Sequence, residues 1–298
     1  MLVTLKEIVE RASKEGYAVA APNVSSELDA RAYVEAAEEL NAPVILDVAY
    51  PAHPDIYYFG KILRELAEQS CVPVALNLDH GFEKDHILAA IRAGFTSVMI
   101  DRSAEPFEKN VADVKEIVDY AHRVGVSVEA ELGHVGFADN YAHDRDAALT
   151  SPEEALAYIQ ATGVDALAVA IGTAHGAYPK GFEPYLDFDR LVEIKKATNN
   201  HPLVLHGSSG TRNEDLRKVC QLGINKVNIA NDLCKAAVKA LKESDLEGAK
   251  AYTVWTVGAN AAKAKLKEMM EIYGSVGKAW TPKAKGLPKF ETTLDEKH

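Results

Sequence analysis

The stretch from residue 73 to residue 101, PVALNLDHGFEKDHILAAIRAGFTSVMID, carries the reading of the whole chain. Pro73–His80 is a short, continuous apolar run that closes on Asp79 and His80. Lys84–Ala93 follows with helical spacing, then Gly94, then a second apolar run, Ser97–Asp101, closed by an acid. Continuous rather than alternating apolar runs belong to parallel strands buried on both faces. A glycine directly after a helix supplies the left-handed cap. The stretch therefore reads as one strand–helix–strand unit whose ionisable groups gather at the strand ends.

The same unit recurs outward in both directions. Further strands are expected at Ala18–Val24, Pro43–Ala49, Ser127–Leu132, Ala166–Gly172, Leu203–His206 and Lys226–Ala230. Helices are expected at Leu28–Leu40, Asp55–Glu68, Lys109–Arg123, Pro152–Ala161, Phe188–Thr198 and Asn213–Leu222, with Gly125, Gly163 and Gly223 repeating the punctuation of Gly94. Eight strand–helix units in about 240 residues predict an α/β chain closed into a (β/α)8 TIM barrel. A dinucleotide-binding sheet instead wants G-x-G-x-x-G after its first strand, and Ala20–Ser26 has nothing of the kind. Beyond Asn231 the chain reads as a helical extension over about 231–275, then a Lys-, Gly- and Pro-rich tail at 277–298. That tail reads as an arm, free or clasping a neighbouring subunit. One barrel domain is expected to span 1–298.

Composition sets the outer limits. The 298 residues carry 44 acidic against 33 basic side chains, a net charge of −11, and 47% are hydrophobic. An acidic chain without a basic run argues against nucleic acid or an anionic membrane as partner. Three scattered cysteines, Cys71, Cys220 and Cys234, make neither a disulfide framework nor a thiolate zinc site. The first sixteen residues, MLVTLKEIVERASKEG, read as an amphipathic helix without the apolar core of a signal peptide. No apolar run reaches the roughly 20 residues of a membrane span. A reducing, cytoplasmic setting is expected.

In a barrel, function gathers at the C-terminal ends of the strands. Those ends read Asn23, Asp47, Asp79-His80, Asp101, Glu131, Gly172 with His175-Gly176, His206-Gly207 and Asn228. Three imidazoles from three strands, His80, His175 and His206, match a catalytic zinc with an open fourth position. A nitrogen-rich donor set without thiolate suits zinc better than softer or harder metals. Adjacent strand residues point to opposite faces, so Asp79 reaches the same site as His80 only if the backbone turns there. Several carboxylates in one cleft repel and call for a cation. The segment His206-Gly207-Ser208-Ser209-Gly210, with Gly176, offers backbone N–H groups for a phosphate, beside the start of the Asn213 helix. Of the remaining histidines only His134, directly after the fifth strand, is placed to face this ring.

At these residues the chain resembles the class II, metal-dependent ketose-bisphosphate aldolases. The matching segments are Leu78-Asp79-His80, Val98–Asp101, Glu129–Gly133, Ala170–Gly176, Leu203–Gly207 with Ser209-Gly210, and Lys226–Ile229, in family order over roughly residues 5–275. The resemblance implies a lyase of carbohydrate metabolism that reversibly cleaves a phosphorylated ketose into dihydroxyacetone phosphate and an aldehyde through a zinc-stabilised enediolate. It implies His80, His175 and His206 as Zn2+ ligands, Glu131 and Asp101 at an alternative metal position, and Asp79 on the hydroxyl proton. It assigns Asn23 and Asn228 to the dihydroxyacetone part. Gly176, Gly207, Ser209 and the Ala230-Asn231 turn go to the phosphate, with a monovalent cation (Na+ or K+). A loop acid moves the proton at carbon three; Asp139 is nearest by position, and Asp144 and Asp146 compete for the role. Family members are commonly homodimers or homotetramers.

The chain departs from the family pattern at Ala49, where a serine is usual, and at Ala230-Asn231, where Asp-Thr is frequent. Arg102, Lys180 and Arg212 are the candidate cations for a second phosphate, which leaves fructose, tagatose and other ketose phosphates open as substrate. Chemistry apart from the family points the same way. A Lewis acid stabilises the charge left by carbon–carbon cleavage, a nearby carboxylate takes the proton, and the strand ends offer no lysine for a Schiff base. Two rivals stand beside this reading. A metal-dependent barrel hydrolase typically carries His-x-His after its first strand, where this chain has Pro22-Asn23-Val24. A non-catalytic sugar-phosphate-binding paralogue has no need of an acid beside a metal.

Overall fold

The computed structural model describes residues 1–133, 135, 149–174 and 184–281. Among them, eight parallel strands alternate with helices: β1 Val19–Pro22, β2 Val44–Ala49, β3 Val74–Gly81, β4 Ser97–Ile100, β5 Ser127–Leu132, β6 Ala166–Val169, β7 Leu203–Leu205 and β8 Ile224–Ile229. The sheet order is β1-β8-β7-β6-β5-β4-β3-β2. The ring closes between β1 and β2 through the Asn23–Asp47 bridge and a Val24 N–H bond to the Asp47 carbonyl at 2.8 Å. This is the (β/α)8 barrel that the strand count predicts.

Helices α1 Leu5–Glu15, α2 Glu27–Glu39, α3 Ile56–Gln69, α4 Lys84–Ala93, α5 Phe107–Arg123, α6 Pro152–Thr162, α7 Phe188–Ala197 and α8 Asn213–Leu222 surround or plug the sheet. Period-two alternation sorts each strand's side chains into two cores. Val44, Leu46 and Val48 of β2 and Val74, Leu76 and Leu78 of β3 join the large core shared with the helices. Ile45, Ala75, Val19, Ala166 and Val204 fill the barrel floor, where they meet Leu5, Ile8, Val9 and Ala12 of α1. The N-terminal amphipathic helix is thus the plug of the barrel. Thr4 and Glu7 form its capping box, which satisfies two otherwise orphaned backbone donors.

The expected extension is two helices, α9 Asn231–Glu243 and α10 Val254–Tyr273, joined through a 3-10 segment at Gly248–Thr253. Lys263 and Lys267 of α10 pair with Glu35 and Glu39 of α2, which ties the extension to the barrel wall. The start of the expected tail docks on its own chain. Gly277 and Ala279 donate to the Leu40 and Asn41 carbonyls, and Trp280 packs on the plug with Arg11 stacked 4.9 Å above its ring. Residues 282–298 lie outside the described residues. No helix among those described is long and apolar enough to cross a membrane.

Candidate active site

Above its apolar floor the barrel interior becomes polar. Asp47, Asn77, Ser97, Glu129 and Lys226 are all fully buried. Asn77 donates to Asp47 at 2.9 Å and accepts from Ser97 at 2.6 Å. Lys226 Nζ reaches Asp47 Oδ2 at 3.0 Å and Glu129 Oε2 at 2.9 Å. Burial works against the Lys226 charge, but Asp47, Glu129 and Asp79 outweigh it and hold the group as an ammonium. An expected strand-end residue is thereby relocated. β2 runs two residues past Asp47, so Asp47 sits one layer below the rim.

The rim layer follows two residues further along the same strands. Asp79 Oδ2 accepts from Asn23 Nδ2 at 2.9 Å, and its Oδ1 accepts from Asn228 Nδ2 at 3.0 Å. Burial raises the Asp79 carboxyl, yet His80, Lys226 and His206 together with the Asn23 hydrogen bond win and leave it well below the usual carboxylate range. His80 shares the rim with Asp79 because β3 does not stay regular. Its register against β4 shifts between Leu78 and Gly81, and His80 adopts φ +50°. A non-glycine residue in that region stores roughly 1–3 kcal/mol of strain, which a site constraint has to sustain. The turn brings His80 Nε2 to 3.9 Å from Asp79 Oδ1. The other ring nitrogen, Nδ1, lies 2.9 Å from Asp101 Oδ2, and Asp101 is held in turn by the Ser103 N–H and hydroxyl.

His206, fully buried just past β7, stands edge-on to His80 with ring centroids 4.9 Å apart. Its Nε2 meets Glu129 Oε1 at 2.9 Å and its Nδ1 lies 3.0 Å from Glu131 Oε2. Burial opposes a charge on His206, but Glu129 and Glu131 push its pKa up to about 10. The site therefore draws positive charge.

This donor set fits a divalent metal. Ligand atoms of Asp79, His80 and His206 lie within 4.8 Å of one another, as do those of His80, Asp101 and Glu131. Buried Glu131 Oε2 faces His206 Nδ1 without the alignment of a hydrogen bond, while Glu131 Oε1 takes the Val135 N–H at 3.0 Å. The two groups share His80, and each could hold a metal ion.

Beside the histidines opens a pocket of about 110 Å³, lined by Asn23, Asp79, His80, Gly207, Ser208, Ser209, Asn228, Ala230 and Asn231. Gly207 is forced to be glycine. It has φ +65°, and a Cβ there would meet the Ala174 carbonyl carbon and oxygen at 2.5 Å. The Ser208 hydroxyl donates to the Asn228 carbonyl at 2.6 Å and fixes the loop to β8. Asn231 opens α9, so a helix N-terminus, which favours anions, borders the pocket.

Of the residues singled out in the sequence, Asn23, Asp79, His80, Asp101, Glu131, His206, Gly207, Ser209, Asn228 and Asn231 come together on this face. His134, Asp139, Asp144, Asp146, His175, Gly176 and Lys180 lie outside the described residues. Arg102 is engaged by Asp113 at 2.9 Å and by the Phe82 carbonyl, and exposed Arg212 pairs with Asp215 at 2.8 Å. Glu129 and Lys226 were not singled out. The signal for them was present: each is polar and stands two residues before a rim residue, hence on the same inward face.

The comparisons with known proteins agree on one family. Residues 3–278 match the model of fructose-bisphosphate aldolase class-II. The chain is 42% identical to a fructose-bisphosphate aldolase of Thermus caldophilus, over 94% of this chain and all of that one. The solved YdjI aldolase of Escherichia coli K12 superposes with a TM-score of 0.84 at 34% identity, covering 94% of this chain and 100% of that one. A putative fructose-1,6-bisphosphate aldolase of Coccidioides immitis follows, with a TM-score of 0.81 at 28% identity, covering 92% of this chain and 97% of that one.

Proposed function

Because the chain belongs to the class-II fructose-bisphosphate aldolase family, and so is a lyase, we propose that it reversibly cleaves a phosphorylated ketose into dihydroxyacetone phosphate and an aldehyde at the His80–His206 site. The observation that carries this reading is one ionised acid, Asp79, clamped by two amides beside two histidines and opening onto a pocket bordered by a helix N-terminus. A hydrolase has to hold a water. This site instead lines its pocket with neutral amide groups, Asn23 and Asn228, each bonded to Asp79.

In this reading His80 and His206, with His175, hold Zn2+, while Asp101 and Glu131 serve the neighbouring metal position. Bound there, the metal supplies a Lewis acid for the enediolate charge that develops beside the ketone. The protein's own residues do the rest. Asp79 takes the proton of the hydroxyl next to the breaking bond, the bond electrons pass to the carbon beside the ketone, and the aldehyde leaves. Asn23 and Asn228 hold Asp79 at their Nδ2 atoms and orient the dihydroxyacetone end. Gly207, Ser209 and Asn231, with Gly176 and a monovalent cation (Na+ or K+), bind its phosphate. Asp139 returns a proton to carbon three. Three unpaired cysteines support a reducing, cytoplasmic setting. The exposed aromatic rings of Tyr252 and Trp255 on the extension support a homodimer or homotetramer.

The test is condensation of dihydroxyacetone phosphate with a panel of aldehydes, with and without zinc. Chelated protein is expected to be inactive and to recover with Zn2+. Activity that survives chelation, or a lysine adduct trapped by borohydride, rules the metal mechanism out.

A further inference from the structure

We propose that Lys226 is a positioning residue that sets, from one layer below, both the acid that moves the proton and the face that His206 turns to the metal. The inference rests on the aldolase reading and goes beyond it. Lys226 does not line the pocket; its ammonium is fully buried under the rim. Three acceptor groups surround Nζ: Asn228 Oδ1 at 2.6 Å, Asp47 Oδ2 at 3.0 Å, and Glu129, whose oxygens lie at 2.9 and 3.2 Å. An ammonium has three protons and no acceptor, so each of these partners must present an oxygen to it.

That requirement decides two things above. Asn228 has one oxygen and one amino group. With Oδ1 committed to Lys226, only Nδ2 can face Asp79, and it does so at 3.0 Å. The opposite flip sets an amide oxygen against a carboxylate and an amino group against an ammonium. Lys226 thus fixes the donor that clamps the acid. On the other side Lys226 holds the Glu129 carboxylate in place, and Glu129 Oε1 can only accept from His206 Nε2 at 2.9 Å. Were a metal to take the place of the second ring proton, Glu129 would keep the remaining His206 proton on Nε2, and Nδ1, beside Glu131, would be the nitrogen turned to the metal position, a ligand orientation set by an outer partner. One cation keys both halves of the site. The register explains how: Lys226-x-Asn228, Glu129-x-Glu131 and Asn77-x-Asp79 each stack a lower and an upper inward residue on one strand.

The test compares wild type, Lys226→Met, Glu129→Gln and the charge-balanced Lys226→Met/Asp47→Asn. Each is assayed by thermal melting, by zinc affinity of the metal-stripped protein in competition with a chelator, and by kcat and KM. Lys226→Met leaves two buried carboxylates facing each other and is prone to misfold, so the charge-balanced variant carries the decision. It is expected to fold, to bind zinc about 10–100-fold more weakly, and to lose about 100-fold in kcat with a much smaller change in KM. Adding Glu129→Gln to it is expected to change zinc affinity less than threefold, because Glu129 already lacks its anchor. A folded charge-balanced variant with wild-type zinc affinity and kcat overturns the proposal, as does a Glu129→Gln effect that multiplies in full. Failure of the aldolase reading looks different: the wild type itself then shows no cleavage, while zinc affinity still reports on Lys226.

Discussion

Replacing Asp79 by Asn probes the proposed chemistry most directly, because the change is almost isosteric and its consequences separate. A positioned acid or base contributes about 10²–10⁴ in rate, which at 1.36 kcal/mol per tenfold is about 2.7–5.4 kcal/mol of transition-state stabilisation. A second effect comes from the clamp. Both Asp79 oxygens accept an amide N–H, from Asn23 at 2.9 Å and Asn228 at 3.0 Å. An asparagine at 79 has a single oxygen, so one of those donors must face an amino group, at a cost of about 1–3 kcal/mol. Lys226 holds the Asn228 oxygen, so Asn228 cannot turn to relieve the conflict and Asn23 is the group that moves. Asp79→Asn is therefore expected to lose 10²–10⁴ in kcat, to raise KM through the displaced Asn23, and to melt a few degrees lower. Zinc stoichiometry is expected to stay at the wild-type value, which metal analysis of the same samples checks. A kcat within tenfold of wild type refutes the assignment of the proton to Asp79. Loss of zinc refutes it differently. Asp79 is within ligand reach of His80 and His206, and an empty variant makes it a ligand instead.

Three further outcomes are expected. His206→Ala should abolish stoichiometric zinc binding, measured on dialysed protein, since it removes the imidazole between Glu129 and Glu131; full occupancy refutes its role as ligand. Gly207→Ala should cost more than the roughly 1–2 kcal/mol of a left-handed non-glycine residue, because its Cβ meets the Ala174 backbone at 2.5 Å. It should also weaken inhibition by inorganic phosphate, and an unchanged inhibition constant with unchanged melting contradicts the pocket assignment. His201 is held neutral by burial, aided by Lys195, with its pKa pushed down to about 4 from the usual 6.5. The unfolded chain binds its proton first, so stability present above pH 6.5 falls as pH drops toward 4, by about 1–3 kcal/mol. His201→Asn should flatten that part of the stability–pH curve, and an unchanged slope in denaturant titrations rejects the assignment.

What the sequence disclosed and what it hid follow from one geometric rule. Residues that close an apolar run stand out, and Asp79, Asp101, Glu131, His206 and Asn228 were legible for that reason. The sharing of one rim by Asp79 and His80 was legible only as a condition, a turn at the strand end, because it depends on the positive φ of His80 and a slipped register, which alternation cannot foretell. Lys226, Glu129 and Asn77 were hidden by lying inside their strands, where a polar residue reads as noise until its inward neighbour two places on is recognised. Once they are included, the charge of the site can be reckoned. Among the described residues, Asp47, Asp79, Asp101, Glu129 and Glu131 bring five carboxyl groups to the barrel mouth and the layer beneath it, against one ammonium, that of Lys226. That excess explains why His206 gathers a proton so readily and why a divalent cation suits the rim. In the proposed reading the phosphate is met by backbone N–H groups and a helix terminus, because the pocket edge at Gly207–Ser209 and Ala230–Asn231 is built from small residues and the start of α9, with no lysine or arginine among the described lining residues.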